Sequence, residues 1–206
     1  MRLVSCAGMF VSFEGVDGSG KTTQVKLLAE HLRAEGREVV ETREPGGTKV
    51  GEEIRELLLH GGVMAPWTEA ALFAAARAQL VQEVIAPALA GGADVLCDRY
   101  NDSSLAYQGI ARGLGVDRVL DFNLIATGGL LPDRTFLLDV PLEEATRRRG
   151  PESDRLEREG DVFAQRVHEA YRELADVFAL RVTRADATLP PEETARFIRE
   201  ELRDIS

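Results

Sequence analysis

Residues 15–22 read Gly15-Val16-Asp17-Gly18-Ser19-Gly20-Lys21-Thr22, a complete G-x-x-x-x-G-K-[ST] pattern. A short β-rich run, Met9–Glu14, precedes it. Behind it Val25, Leu28 and Leu32 recur at helical spacing, with Gly36 as a stop. Strand, glycine loop and helix in that order confine the chain to α/β folds whose loop wraps a polyphosphate. Glycines let successive N–H groups converge on the phosphates, and the helix adds the positive end of its dipole. Gly15, Val16, Asp17, Gly18, Ser19, Gly20, Lys21, Thr22 and Thr23 are therefore the candidate ATP-binding residues. Lys21 would reach the β/γ-phosphates, and Thr22 would offer its hydroxyl to Mg²⁺.

The remaining chain alternates in the same way. Strands are predicted at Glu38–Arg43, Asp94–Asp98, Thr135–Val140 and Leu180–Arg184, and helices at Val50–Leu59, Thr68–Leu89, Val162–Phe178 and Pro191–Leu202. Such alternation predicts an α/β fold, a five-stranded parallel sheet flanked by helices on both faces. With 206 residues and no linker or repeat, one domain over 1–206 is expected. Residues 1–8 read as a dispensable lead. Leu3-Val4-Ser5-Cys6 looks like a lipoprotein cleavage box, but two residues upstream are too few for a signal peptide.

Charge and cysteine usage narrow the partners. A formal net charge of −10 provides no basic field for nucleic acid or an anionic membrane. No apolar run approaches the ~20 residues of a membrane span. Cys6 and Cys97 make neither a disulfide framework nor a metal knuckle, which fits a reducing cytoplasm. Guanine specificity usually brings N-K-x-D, which is absent, and this argues against a signalling GTPase.

A second constellation follows the third strand: Asp98-Arg99-Tyr100-Asn101-Asp102-Ser103-Ser104-Leu105-Ala106-Tyr107-Gln108. Carboxyl ends of parallel strands are where such sheets bind ligands. There Asp98 puts a carboxylate near Mg²⁺, and Arg99 offers a guanidinium fork to an oxyanion. Asp-Arg alone reads as readily as a strand-end salt bridge. The whole segment resembles the thymidylate kinase signature D-R-[YFH]-x-x-S-x-x-A-[YF]. Phe13-Glu14-Gly15-Val16-Asp17-Gly18 is similar to that family's F-E-G-x-D-G, and Arg43-Glu44-Pro45-Gly46-Gly47-Thr48 to its R-E-P-G-G-T loop. Phe73-x-x-x-Arg77-x-Gln79-Leu80 resembles its nucleobase helix, and Asp154-Arg155-Leu156-Glu157 its lid.

The resemblance implies a P-loop kinase with a mobile lid that moves the γ-phosphoryl group of ATP, with Mg²⁺, to dTMP. Asp17 would accept from the dTMP 3′-hydroxyl, and Arg99, with Arg43 nearby, would hold the dTMP phosphate. Phe73 would stack on thymine while Arg77 donates to a base carbonyl. Ser104 would meet the base edge, Tyr107 would crowd a ribose 2′-hydroxyl, and Ser103 and Gln108 complete the dTMP-binding set. Ala185 and Asp186 fall where the family contacts adenine. The resemblance also implies a homodimer formed through helices like Val50–Leu59 and Thr68–Leu89.

Five arginines, Arg147, Arg148, Arg149, Arg155 and Arg158, lie in a predicted lid at about 147–160, interrupted by Gly150-Pro151. A charge run is commonly a solvated face. One family branch carries an Arg in the cradle where this chain has Gly18, and the other supplies it from the lid. This chain resembles the second, so Arg149 and Arg155 are the candidate catalytic lid residues beside Lys21 and Arg99. Two alternatives remain at this stage: a kinase for another nucleoside monophosphate, and a nucleotide-gated switch.

Overall fold

The computed structural model describes residues 8–149 and 155–203. The proposed lead (all but its last residue) and the Gly150–Asp154 part of the expected lid therefore lie outside the described residues. Five strands form one parallel sheet: β1 (Phe10–Glu14), β2 (Val39–Arg43), β3 (Asp94–Asp98), β4 (Arg134–Asp139) and β5 (Val182–Asp186). Their order is β2-β3-β1-β4-β5. β1 is central, with Phe13 in register with Asp98 on one side and Phe136 on the other. The chain leaves β1 toward β2 and later crosses from β3 to β4. The crevice beyond the carboxyl end of β1 is thus the topological switch point where such sheets take ligands.

Alternate strand residues face opposite sides, and each side has its own core. Val11, Phe13, Leu96 and Phe136 belong to one buried cluster; Phe10, Val95, Cys97 and Tyr100 belong to the other. Both faces need helices to cover them. These are α1 (Lys21–Ala34), α2 (Lys49–His60), α3 (Pro66–Leu80), α4 (Ala86–Ala90), α5 (Asn101–Ser104), α6 (Val116–Thr127), α7 (Leu142–Arg148), α8 (Asp161–Val177) and α9 (Pro191–Leu202). Among the described residues, no helix is long and apolar enough to cross a membrane.

Local chemistry sets the element bounds. Thr48 caps α2 by accepting from the Gly51 N–H at 2.9 Å. α3 starts with proline in its first turn. The single long helix expected over Thr68–Leu89 is α3 and α4 joined by a π-helical turn, Val81–Ile85. Pro87 has no N–H to return to Glu83, and the ladder widens one turn ahead of it. The last strand is displaced two residues from the expected Leu180–Arg184. The N–H groups of Arg181 and Val182 both donate to the Phe178 carbonyl, in the turn that ends α8, so pairing begins at Val182. α6 had no counterpart in the sequence reading. Its buried Val119, Asn123 and Thr127 recur every four residues, and Gly128 (φ 63°) stops it.

Candidate functional site

The loop that follows β1 lines a cleft of about 720 Å³ with Asp17, Gly18, Ser19, Gly20, Lys21, Thr22 and Thr23. Gly15 and Val16 lie behind that wall. Their carbonyls accept from Lys21 Nζ at 3.1 and 3.0 Å, which folds the amine into the cradle. Gly18 (φ 84°) packs against the end of α7, and a Cβ there would stand 2.1 Å from the Ala145 carbonyl oxygen. Any side chain at this position would thus collide with the backbone of α7.

Thr22 Oγ1 donates to Asp98 Oδ2 at 2.5 Å, joining the head of α1 to the end of β3. These two oxygens fit Mg²⁺, a hard cation that takes one or two protein ligands and fills its sphere with phosphate oxygens and water.

Asp17 sits between the two halves of the cleft. Its Oδ1 lies 3.7 Å from Lys21 Nζ and 2.6 Å from Arg99 Nη2. Burial alone would raise this carboxyl, but Arg99, Lys21 and then Arg149 outweigh it and hold Asp17 well below the usual carboxylate range. Asp17 is therefore an acceptor at any physiological pH. Burial pushes the Lys21 ammonium down from its ordinary value, with Arg99 adding to the effect.

Arg99 is the one described non-glycine residue with positive φ, at 71°. Its Nη1 donates to Ser103 Oγ at 3.2 Å and to Tyr171 Oη at 2.9 Å, and its guanidinium carbon stands 5.7 Å above the Tyr107 ring. Arg43, Phe73, Ser103, Ser104, Tyr107 and Gln108 all line the same cleft, as does Asp98. α5 runs into a π-helical segment, Leu105–Ala111. The wider turn changes the side-chain phase, and so Ser104, Tyr107 and Gln108 reach one wall. Phe73 is only half buried and faces the space rather than the core.

Five expected site residues stand elsewhere. Arg77 is 1% exposed and does not line the cleft. Its Nε donates to Glu44 at 2.8 Å, Nη2 to the Tyr100 carbonyl at 3.0 Å, and Nη1 to Ser104 and Asn123. A carboxylate, two side-chain oxygens and a carbonyl thus take up the donors expected for a base carbonyl. Ala185 is buried in β5, and Asp186 binds the N–H and hydroxyl of Thr188 at 2.8 and 2.6 Å. The cleft is instead lined two residues further on, by Ala187 and Leu189. The displaced start of β5 accounts for the offset. Arg149 lies outside the lining yet acts electrostatically on Asp17. Arg155 does not line the cleft: its Nε donates to the Leu58 carbonyl at 2.7 Å and its Nη1 pairs with Glu69 at 2.8 Å.

Other groups at the site were not foreseen. Arg148 lines the cleft and donates to the Ala187 carbonyl at 2.8 Å. Arg55 lines it from α2 and donates to the Pro45 carbonyl at 2.9 Å. Glu14 and Tyr171 meet behind Arg99, their Oε2 and Oη atoms 3.1 Å apart. Arg148 belonged to a noted charge run. Tyr171 had no local signal, because its partner lies 157 residues away.

The thymidylate kinase family model matches residues 13–198 of this chain. A thymidylate kinase of Caldanaerobacter subterraneus subsp. tengcongensis is 53% identical over 176 residues, covering 84% of this chain and 85% of that protein. One from a Synechococcus strain is 49% identical over 187 residues, covering 91% and 90%. The crystal structure of thymidylate kinase from Ehrlichia chaffeensis superposes with a TM-score of 0.78 at 32% identity, covering 95% of this chain and 99% of that one.

Proposed function

The chain belongs to the thymidylate kinase family and transfers the γ-phosphoryl group of ATP to dTMP, and on that premise we propose how its residues divide the work. The carrying observation is the single Asp17 oxygen that stands between Lys21 and Arg99. Lys21 and the cradle N–H groups hold the ATP phosphates, while Arg99 holds the dTMP phosphate from the opposite side of Asp17. Two anions are thereby brought into line, and positioning plus cationic stabilisation supplies most of the catalysis. No strong general base is needed, because the attacking phosphate oxygen of dTMP is already ionised. It bonds to the γ-phosphorus as the bond to the ADP oxygen breaks.

Thr22 and Asp98 would hold Mg²⁺, which, when bound, neutralises charge on the transferring phosphoryl group. Arg149 is the lid arginine whose electrostatic reach to Asp17 supports a role at the transferring group. Phe73 stacks on thymine, Ser104 presents its oxygen to the base edge, and Tyr107 stands against the sugar. Arg77 serves the base indirectly by fixing Ser104. On the donor side Ala187, Leu189 and Arg148 flank the adenine. The enzyme works in the cytoplasm as one catalytic domain, a setting in keeping with the free, buried Cys97 thiol. It pairs with a second copy through the face of α2, α3 and α6 that leaves Leu57, Trp67, Phe122 and Ile125 exposed.

A coupled assay over a panel of monophosphates tests this reading. dTMP should exceed AMP and GMP by orders of magnitude in kcat/KM, and Lys21→Ala should lower turnover at least a thousandfold. Preference for AMP or GMP would overturn the acceptor assignment.

A further inference from the structure

Glu14 is the last residue of β1 and is 1% exposed. No step of the phosphoryl transfer above employs it, yet its carboxylate gathers three donors. Oε1 accepts from the Tyr100 N–H at 2.7 Å, and Oε2 accepts from Ser103 Oγ at 2.6 Å and Tyr171 Oη at 3.1 Å. Every one of these contacts borders Arg99. Tyr100 is its chain neighbour, and Ser103 and Tyr171 are the hydroxyls that receive its Nη1. We propose that Glu14 is the positioning residue that aims Arg99 at the acceptor phosphate.

Two physical links support the assignment. Arg99 holds a left-handed backbone, which is unfavourable for a non-glycine residue and persists only where neighbours over-determine it. The Arg99 N–H donates to the Phe13 carbonyl at 2.9 Å, and the next N–H in the chain goes to Glu14. Consecutive residues of β1 therefore pin the peptide groups on both sides of the strained residue.

The second link is the direction of the hydroxyl protons. Above its raised pKa of about 7 the Glu14 carboxylate is ionised and can only accept. Ser103 donates to it, and Ser103 and Tyr171 are themselves 2.8 Å apart. Their lone pairs are left for the Arg99 N–H groups, so the guanidinium is held by acceptors on one edge and by Asp17 on the other. Replacing Glu14 with an amide puts N–H donors where the hydroxyls now give their protons. The hydroxyls then turn donors toward Arg99, and its aim is lost while the backbone remains in place.

The inference rests on Arg99 being the acceptor-phosphate ligand, and the experiment separates the two claims. Steady-state kinetics of the full chain at about pH 8.5, where Glu14 is ionised, would compare Glu14→Gln, Arg99→Lys and the double variant Ser103→Ala/Tyr171→Phe with the unaltered protein. Glu14→Gln should raise KM for dTMP about tenfold and leave KM for ATP within twofold. The double variant should reproduce that split, and adding Glu14→Gln to it should change KM no further. Unchanged dTMP KM in Glu14→Gln, or an equal rise in both KM values, overturns the proposal. Should Glu14→Gln fail to fold, an unchanged dTMP KM in the double variant overturns it. An unchanged dTMP KM in Arg99→Lys would instead overturn the acceptor reading itself.

Discussion

Arg155 Nη1 lies 2.8 Å from the Glu69 carboxylate, a buried pair on the acceptor side of the cleft. Glu69 also accepts from Gln108 Nε2 at 2.8 Å and from Arg112 Nη2 at 3.1 Å. Gln108 lines the cleft, and Phe73 stands one turn beyond Glu69 on α3. Arg155 thus belongs to a network that backs Gln108 at the wall of the cleft, whereas Arg149 acts on Asp17 at the cradle.

The two arginines should therefore separate kinetically. Arg149→Ala should lower kcat by about two orders of magnitude, the loss of one cationic contact to the transferring group, with little change in dTMP KM. Arg155→Ala should act through KM for dTMP and through stability. It breaks a buried pair, and the remaining Arg112 and Gln108 limit the loss to about 3 kcal/mol. Steady-state kinetics together with denaturant unfolding measures both.

Gly18→Ala should abolish ATP binding without unfolding the sheet. The added Cβ would meet the Ala145 carbonyl oxygen at 2.1 Å, and φ of 84° is itself unfavourable for alanine. Either α7 moves or the cradle does. Nucleotide titration by calorimetry, alongside far-UV circular dichroism, distinguishes lost binding from lost fold.

Tyr107 leans edge-on toward Phe163 and Tyr171, with Arg99 over its face. On the proposed reading, ring bulk rather than the hydroxyl would stand against the sugar. Tyr107→Phe should keep the ratio of kcat/KM for dUMP over UMP within twofold, whereas Tyr107→Ala should lower it about tenfold. Equal ratios in all three proteins would remove Tyr107 from sugar selection.

What could be read from the sequence was what is local. The cradle is eight consecutive residues, and the Asp98–Gln108 segment is one strand end and its continuation. Their spacing carries the chemistry because the chain itself brings the groups together. The surroundings of Arg77 were hidden for the opposite reason. Four-residue spacing puts it on the same helical face as Phe73, but only packing reveals Glu44, Asn123 and Tyr100 around its guanidinium. The π-helical segment that orients Tyr107 and Gln108 has no 3.6-residue period to betray it. Glu14 is visible as a charge at a strand end, yet its meaning depends on Tyr171, which only the α8 packing supplies.

Glu14 should also leave a mark on stability as pH varies. Burial, reinforced by the nearby Asp102 carboxylate, raises its pKa from 4.5 to about 7. Between those values the folded protein binds a proton that the unfolded chain has released, so the stability present below pH 4.5 is lost as pH rises toward 7. A shift of that size corresponds to about 3 kcal/mol. Glu44, also pushed up to about 7 by burial, titrates in the same window with the same sign. Unfolding free energies at pH 5 and pH 8 should therefore fall in the unaltered protein. Glu14→Gln should remove the Glu14 share of that fall and leave the Glu44 share, with His168, whose pKa burial lowers from 6.5, opposing both below pH 6.5. A slope unchanged by Glu14→Gln would mean that the carboxylate is ionised throughout, and that the fold already tolerates its charge at pH 5.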